Sequence, residues 1–433
     1  RGRYTHQIVD HAALLRPLVK GSFEIEREGA GATVSRAVAL ATTPPMGPVH
    51  LDLAPDVAAA PDRSGEALAV PAQRVLPGID RGDPLLAELR RRLDRAERPL
   101  LLAGFEAARG GAAPAVARLA EGHGVPVLTT YKAKGVLDES HPLALGGAGL
   151  SPLADHVLKP LVAAADLVLL AGYDPIEMRP GWLDPFPDPT RVVELTSAPP
   201  DHGMHAAGIA LQGAVPALLE ALAEGLEPRQ RWPNGEPAAA RARLEALFAP
   251  PAAWGPHAII DALGAVLPED AIVTVDSGAH RILLSQRWKA RRPLSLLQSA
   301  GWCTMGAAVP LAIGARLTAP DRPVIAVLGD GGLEMTLGEL GSVRDQRLPI
   351  VIIVLQDQSL ALIELKQRQA GLGKAGVALG RTRYEEIAVA FDGVGVRVRD
   401  FGGLQAALTA ALEGRAFTLI TCEIEADAYV NRI

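Results

Sequence analysis

The chain has 433 residues, and its 43 Lys and Arg against 49 Asp and Glu give a formal net charge of −6. Without a basic stripe or an acidic tail, this balance argues against a protein that binds nucleic acid or a membrane surface. Two cysteines, Cys303 and Cys422, are too few for a disulfide framework and indicate a reducing, cytoplasmic location. We expect no signal peptide and no membrane span, since the longest apolar runs are interrupted by charges.

The first block, residues 1–60, predicts one helix at residues 32–41 and one strand at residues 48–53. One helix and one strand cannot form a hydrophobic core. The sequence also starts with Arg1 rather than Met. We therefore expect this block to be the end of a domain that begins before Arg1. A linker rich in Pro and Ala is expected next, at about residues 58–82.

The second block, residues 84–226, alternates predicted strands at residues 99–103, 126–129 and 166–172 with helical segments such as residues 113–122. This alternation is typical of a parallel α/β domain, here a central Rossmann-like one. A proline-rich linker containing a helix of Ala, Arg and Leu separates it from the third block.

The third block, residues 255–433, is the clearest α/β pattern and predicts a doubly wound parallel sheet. Helical patterns, including residues 337–344 and 384–391, lie between its strands. The predicted strands are residues 271–275, 323–328, 349–355, 394–398 and 417–423.

The strongest signal for chemistry is the buried strand at residues 324–328, which ends in Gly329-Asp330-Gly331-Gly332 before a helix. This arrangement places free backbone N–H groups at the carboxyl edge of the sheet, where phosphates bind. Asp330 would repel a bare phosphate, so its presence favours a metal that bridges to a diphosphate. The alternative for these four residues is an ordinary turn.

The next strand along the chain ends in Gln356-Asp357-Gln358-Ser359, with Asp357 lying 27 residues after Asp330. Neighbouring parallel strands would deliver both carboxylates to one edge of the sheet. Two carboxylates, one backbone carbonyl, two phosphate oxygens and one water would complete an octahedral Mg²⁺ site.

These two segments resemble the cofactor motif of the thiamine-diphosphate enzymes, Gly-Asp-Gly followed at similar spacing by Asn-Asn. The resemblance implies that Asp330, Asp357 and the carbonyl of Ser359 bind magnesium. Asp357 replaces the second Asn of the family motif, and catabolic acetolactate synthases also have Asp at this position. Gln356 replaces the first Asn and is a further departure from the motif.

Two other segments fit the same family. The resemblance implies that Gly278, Ala279 and His280, after the strand at residues 271–275, lie against the diphosphate. The alternative for His280 is a helix-capping role. In residues 299–306, Met305 would support the bent cofactor, and the backbones of Cys303 and Met305 would pair with its aminopyrimidine ring. The alternative for Met305 is core filling.

The resemblance covers essentially the whole chain and points to the acetolactate synthase family, the large-subunit type. Residues 47–53 resemble the strand that closes the pyrimidine-binding domain. Residues 172–177, followed by Trp182, resemble a central-domain motif of the catabolic synthases, which lack FAD. The anabolic enzymes carry FAD there. The central block has no Gly-x-Gly-x-x-Gly, so FAD stays open.

In the family, a glutamate of the pyrimidine domain activates the cofactor, which attacks a 2-keto acid such as pyruvate, releases CO₂ and adds the remainder to a second keto acid. By the family layout this glutamate lies before Arg1, so we expect the chain alone to be incomplete. Gln7 matches a Phe-Gln near the cofactor or is an exposed helix residue.

The helix after Asp357 normally lines the substrate channel, and the resemblance gives that role to Leu362, Ile363 and Lys366. Lys366 replaces a Trp that favours 2-ketobutyrate in the anabolic enzymes, which puts branched-chain biosynthesis in doubt. We expect a homodimer or tetramer. The alternatives are a simple 2-keto-acid decarboxylase, another thiamine-diphosphate lyase and a non-catalytic cofactor-binding protein.

Overall fold

The computed structural model describes residues 9–61, 79–186, 188–250, 253–299 and 301–433. These residues divide into two compact units. The first holds the described part of residues 1–78 with the short segments 197–200 and 212–214. The second holds the remainder, including nearly all of two six-stranded sheets. Among the described residues, no helix is both long and apolar enough to cross a membrane.

The first unit contains a two-stranded parallel sheet in which β1 pairs with β2. In residues 9–61 Ala37 is the single fully buried hydrophobic side chain, so the described part of this block has almost no core. Its elements are α1 (His11–Leu15), β1 (Ser22–Glu24), α2 (Ala30–Thr42), β2 (His50–Asp52) and α3 (Pro55–Ala58).

The central sheet has the strand order β5-β4-β3-β6-β7-β8, and its first five strands pair in parallel. Its elements are α4 (Pro84–Arg95), β3 (Pro99–Ala103), α5 (Phe105–Arg109), α6 (Ala113–His123), β4 (Val127–Thr130), β5 (Ala144–Ala148), α7 (Pro152–Ala164), β6 (Leu167–Ala171), β7 (Val192–Thr196), β8 (Ile209–Gln212) and α8 (Val215–Ala223). The helix predicted in the following linker is α9 (Glu236–Leu247).

The C-terminal sheet has the order β10-β9-β11-β12-β14-β13, and all of its strands are parallel. Its elements are α10 (Pro256–Val266), β9 (Ile272–Val275), α11 (Ala279–Arg287), β10 (Leu296–Gln298), α12 (Ala308–Thr318), β11 (Val324–Gly329), α13 (Asp330–Met335), α14 (Glu339–Asp345), β12 (Val351–Gln356), α15 (Ala361–Gln369), α16 (Tyr384–Ala390), β13 (Val394–Val398), α17 (Phe401–Glu413) and β14 (Thr418–Glu423).

Helices cover both faces of each sheet, which explains the continuous apolar runs in the strands. In β11, Ile325 and Val327 pack into one core while Ala326 and Leu328 pack into the core on the opposite face. The predicted α/β architecture is therefore confirmed. The predicted domain limits, 1–60, 84–226 and 255–433, stay a prediction, because the second compact unit takes in both sheets.

A buried ion pair helps to join the two sheets. Lys134 Nζ lies 2.6 Å from Glu139 Oε1, and both side chains are almost fully buried. The other carboxylate oxygen of Glu139 accepts a hydrogen bond from the backbone N–H of Ala290, at 2.8 Å. A buried charge needs such partners, because removal from water is otherwise costly.

Candidate active site

A cavity of about 580 Å³ opens at the carboxyl edge of the C-terminal sheet, a size typical of small-molecule sites. It brings together all the predicted site residues that the structure describes: Gly278, Ala279, His280, Cys303, Met305, Gly329, Asp330, Gly331, Gly332, Asp357, Ser359, Leu362, Ile363 and Lys366. Gln7 lies outside the described residues, so its role stays a prediction.

The strand order explains the position of this cavity. From β9 the chain passes to β10 on one side and then returns to β11 on the other side of β9. Strand ends diverge at such a switch point and leave a crevice where ligands bind. Asp276 directly follows β9, and Asp330 directly follows the last residue of β11, so buried carboxylates flank the crevice.

Asp276 fixes the geometry beside the switch point. Its Oδ1 lies 2.7 Å from Nε2 of His280, and its Oδ2 accepts a hydrogen bond of 2.7 Å from the backbone N–H of Gly306. A Cβ on Gly332 would lie 2.1 Å from Oδ2 of Asp276. His280 is thus a buried, oriented ring and does not cap the helix. Asp276 is not among the site residues predicted from the sequence, although its spacing of four residues from His280 is a visible signal.

Asp330 and Asp357 are the two carboxylates that the sequence predicted to meet. Asp330 accepts hydrogen bonds of 2.8 Å from the backbone N–H groups of Gly331 and Gln358, and Asp357 accepts one of 3.0 Å from Ser359. Burial raises the pKa of Asp330 to about 6. Burial, followed by the charge of Asp330, raises the pKa of Asp357 to about 7. The pair therefore offers anionic oxygens in a place that disfavours unpaired negative charge.

Met305 and the glycine turn pack closely at the cavity wall. A Cβ on Gly331 would lie 2.6 Å from Cδ2 of Leu360 and 3.5 Å from Cε of Met305. Met305 is partly exposed and lines the cavity, and its contact with the cofactor stays a prediction. Cys303 is exposed, and its positive φ of 48° turns the backbone sharply before Met305.

Ser359 connects the second carboxylate to helix α15. Its hydroxyl donates to Glu364 at 2.6 Å. Lys374 Nζ also lies 2.8 Å from Glu364, and hydrogen bonds from Lys374 and Ser359 lower the pKa of Glu364 to about 2. These contacts fix the start of α15, which carries Leu362, Ile363 and Lys366 into the cavity.

Gln356, which departs from the family motif, forms its hydrogen bonds away from the cavity. Its side chain is fully buried and accepts a hydrogen bond of 2.7 Å from Arg397. Its amide donates to the carbonyl of Thr382 at 2.9 Å. The longer side chain is therefore explained by these contacts below the sheet edge, and Asp357 remains the residue that faces the cavity.

The opposite wall comes from the carboxyl ends of the central sheet, which the sequence analysis did not predict. Tyr131, Ile176, Met178 and Arg179 line this side. The guanidinium carbon of Arg281 in α11 lies 4.8 Å from the ring centre of Tyr131, the residue after β4, and this cation–π contact links the two walls of the cavity. No local sequence motif identifies these wall residues, because they line the cavity only through packing against a sheet that is distant in sequence.

Glu177 holds the turn that carries three of these wall residues. Its carboxylate accepts a hydrogen bond of 3.0 Å from the backbone N–H of Phe105 and a short one from the hydroxyl of Thr130. Burial raises the pKa of Glu177 to about 7. Just before it, Asp174 accepts from the backbone N–H of Ile176 at 2.9 Å. The role of this glutamate is to position the wall.

Comparison with known proteins gives two family matches. Residues 276–422 match the C-terminal TPP binding domain of thiamine pyrophosphate enzymes, and residues 86–222 match the central domain of the same enzymes.

Individual relatives are similar at moderate identity. A probable acetolactate synthase large subunit of Methanocaldococcus jannaschii is 29% identical over 84% of this chain and 64% of its own length. The acetolactate synthase of Bacillus subtilis is 27% identical over 100% of this chain and 76% of its own length. A benzoylformate decarboxylase of Pseudomonas aeruginosa is 31% identical over 81% of this chain and 65% of its own length. The chain thus spans less than two thirds of the first and third of these relatives.

Proposed function

Because the chain belongs to the thiamine pyrophosphate enzymes, we propose that it takes part in decarboxylating a 2-keto acid such as pyruvate and joining the remainder to a second keto acid, as acetolactate synthases do. Thiamine diphosphate, when bound, supplies a nucleophilic carbon and an electron sink for this reaction. The observation that carries the proposal is the meeting of Asp330 and Asp357 at one cavity.

The cation in this proposal is Mg²⁺, held by Asp330, Asp357 and the backbone carbonyl of Ser359. Oxygen ligands suit this hard ion. The donor set fits, since both carboxylates are buried and each is bound here by backbone N–H groups alone among the described contacts. A divalent cation would offset the cost of keeping two negative charges together in a buried place. The backbone around Gly329–Gly332 and Gly278–His280 would bind the diphosphate.

Met305 and the backbone of Cys303 would support the organic part of the cofactor. Their position on the cavity wall beside Gly331 supports this assignment. Leu362 and Ile363 would contact an apolar substrate group. Lys366 and Arg179 place positive charge around the same cavity, which suits a small anionic keto acid.

A simple 2-keto-acid decarboxylase is the second candidate. It is supported by the benzoylformate decarboxylase relative, whose identity is slightly higher than that of the two synthases. The two activities differ in the fate of the fragment left after CO₂ is lost. A carboligase transfers it to a keto acid, whereas a decarboxylase releases it as an aldehyde.

Two measurements test the proposal. Calorimetric titration of the chain with thiamine diphosphate should show binding in Mg²⁺ and none in a chelator; equal binding in both would rule out the magnesium site. Protein expressed from the complete reading frame should convert pyruvate to acetolactate, and acetaldehyde as the sole product would establish the second candidate.

Flavin absorption by this protein would decide the question of FAD, and its mass in solution would test the proposed homo-oligomer.

A further inference from the structure

A second cluster of potential ligands lies in the central sheet, outside the cavity. Glu194 is the third residue of β7, and His202 and His205 belong to the connection between β7 and β8. Each of the three residues offers one ligand atom, and these atoms all lie within 4.8 Å of one another. Glu194 lies 21 residues after Tyr173 in sequence (194 − 173), so folding brings the cluster beside that residue.

His205 is the unusual member of the cluster. Its side chain is 1% exposed, and both of its ring nitrogens lack a hydrogen-bond partner among the described residues. The rings of Tyr173, Phe186 and His202 surround it, with centroids 5.6, 5.4 and 4.7 Å away. Aromatic packing accounts for the ring but not for two buried nitrogens, because such polar atoms are nearly always paired.

The neighbours of His205 do not form a hydrogen bond with its ring. Glu194 is 4% exposed, and its Oε2 lies 3.9 Å from Nε2 of His205, too far for a hydrogen bond. The backbone N–H of Met204 donates to His202 over 3.4 Å, at the weak end of the range.

We propose that Glu194, His202 and His205 bind one Zn²⁺ ion, with water as the fourth ligand. Two imidazoles and one carboxylate are a common ligand set for this ion, which prefers tetrahedral geometry. Zn–N bonds of about 2.0–2.1 Å place tetrahedral ligands about 3.4 Å apart, so the three side chains must move together by about 1 Å. Rotation of His202, which is partly exposed, is the simplest such movement.

The bound ion would stabilise the fold and would not take part in the reaction. It would fasten residues 201–205 to the face of β7 that carries Glu194. Tyr173, which packs on His205, immediately precedes the turn that carries Ile176, Met178 and Arg179 into the cavity wall. The bound ion would therefore stabilise that wall from behind, at a distance from Asp330 and Asp357.

The test is a calorimetric titration of the full chain with Zn²⁺ in excess Mg²⁺, which occupies the carboxylate site but competes poorly for imidazole. Wild type should bind one tight equivalent. Glu194→Gln and His202→Ala should each weaken it by more than about 100-fold, beyond the effect of changing an outer-shell partner. His156→Ala, an exposed histidine of the same sheet's helix α7, is the matched control and should bind like wild type.

Two further readouts separate the metal site from simple packing. Co²⁺ should give the intense visible bands of a four-coordinate site in wild type and in His156→Ala, but not in the two ligand variants. His205→Phe keeps an aromatic ring among Tyr173 and Phe186, so it should fold yet lose the rise in Tm that Zn²⁺ gives wild type. Equal zinc affinity in wild type, Glu194→Gln and His202→Ala would overturn the proposal.

Discussion

The two six-stranded sheets have closely related topologies but very different switch points. In the C-terminal sheet the segments that follow β9 and β11 both line the cavity, and buried carboxylates lie beside it. In the central sheet the corresponding strands are β3 and β6, and the residues after them, Gly104 and Gly172, touch. A Cβ on Gly104 would lie 2.1 Å from the carbonyl oxygen of Gly172. The fold thus provides a place for a site, but side chains at the strand ends decide whether one exists.

The carboxylates near the two switch points also differ in their partners. Glu177 in the central sheet receives hydrogen bonds from Phe105 and Thr130 and supports a turn. Asp330 and Asp357 face each other's charge at a cavity. Burial alone therefore does not distinguish the two places, whereas the pairing of two buried carboxylates on neighbouring strand ends does.

The largest expected effect comes from removing the charge of one such carboxylate. Asp330→Asn keeps the shape of the side chain but loses the anionic oxygen of the proposed Mg²⁺ ligand, so affinity for thiamine diphosphate in Mg²⁺ should fall by more than about 100-fold. Glu177→Gln is the matched change in the central sheet and should leave this affinity within a few-fold. Calorimetry on both variants tests the difference. Equal losses would mean that the comparison of the sheets is wrong.

The raised pKa values predict a pH dependence of the same site. Below pH 6 both carboxyls are increasingly protonated and cannot bind Mg²⁺, so cofactor affinity in Mg²⁺ should rise from pH 5 to about 7 and then level off. Without a cation the sign is opposite: the neutral carboxyls favour the folded state, and that contribution is lost as pH rises through about 6 to 7.

Asp357→Asn provides the control for this pH dependence. It removes the group with the higher pKa, so the remaining rise in affinity should be shallower and shifted toward pH 6. Mg²⁺-dependent binding measured at several pH values, with unfolding followed in parallel without the ion, checks both signs. A flat profile in wild type would contradict the assignment of these two ligands.

Gly104→Ala tests the closed switch point. Its Cβ would meet backbone atoms of Gly172 and Tyr173, so the free energy of unfolding should fall by about 1–3 kcal/mol, as for other overpacked sites. Cofactor affinity should be retained. Gly122→Ala in α6 is the control, because its Cβ meets no atom within 4 Å and alanine favours a helix. Denaturant unfolding and calorimetry of both variants provide the measurements.

The smallest effect is expected for Met305→Ala. Met305 is partly exposed, so its loss should weaken cofactor binding by about tenfold, roughly 1.4 kcal/mol, the lower end for apolar truncation. Binding of Mg²⁺ should change much less, since Asp330 and Asp357 remain. In protein from the complete reading frame, exchange of the thiazolium proton should slow markedly. Exchange at the parent rate would return Met305 to the role of wall filling.

The sequence was most informative where function depends on consecutive elements. Asp330 and Asp357 could be placed together because β11 and β12 are long apolar strands that follow each other and pair in parallel. Short or glycine-containing strands escaped prediction, as with β10 and with β5, which includes Gly146 and Gly147. Their few residues give too little alternation or apolar content to distinguish them from loops.

Residues that reach the site across long separations could not be predicted at all. Tyr131 arrives from the central sheet and Tyr429 from the segment after β14, and each lines the cavity from its own side. Their pairing with the site depends on how the two sheets pack, which no window of sequence contains. The buried nitrogens of His205 are a similar case, since three unremarkable residues become a cluster through tertiary contacts.

The turn held by Asp174 and Glu177 can be changed in sequence independently of Asp330 and Asp357. Its anchors are these two carboxylates, whereas Ile176 and Met178 contact the cavity without bonding to the opposite sheet's carboxylates. Mutations at those two positions can reshape the space offered to a substrate while the inherited strand ends at Asp330 and Asp357 stay intact. A combinatorial library that varies only Ile176 and Met178 is therefore a suitable first experiment for changing which molecule the cavity accepts.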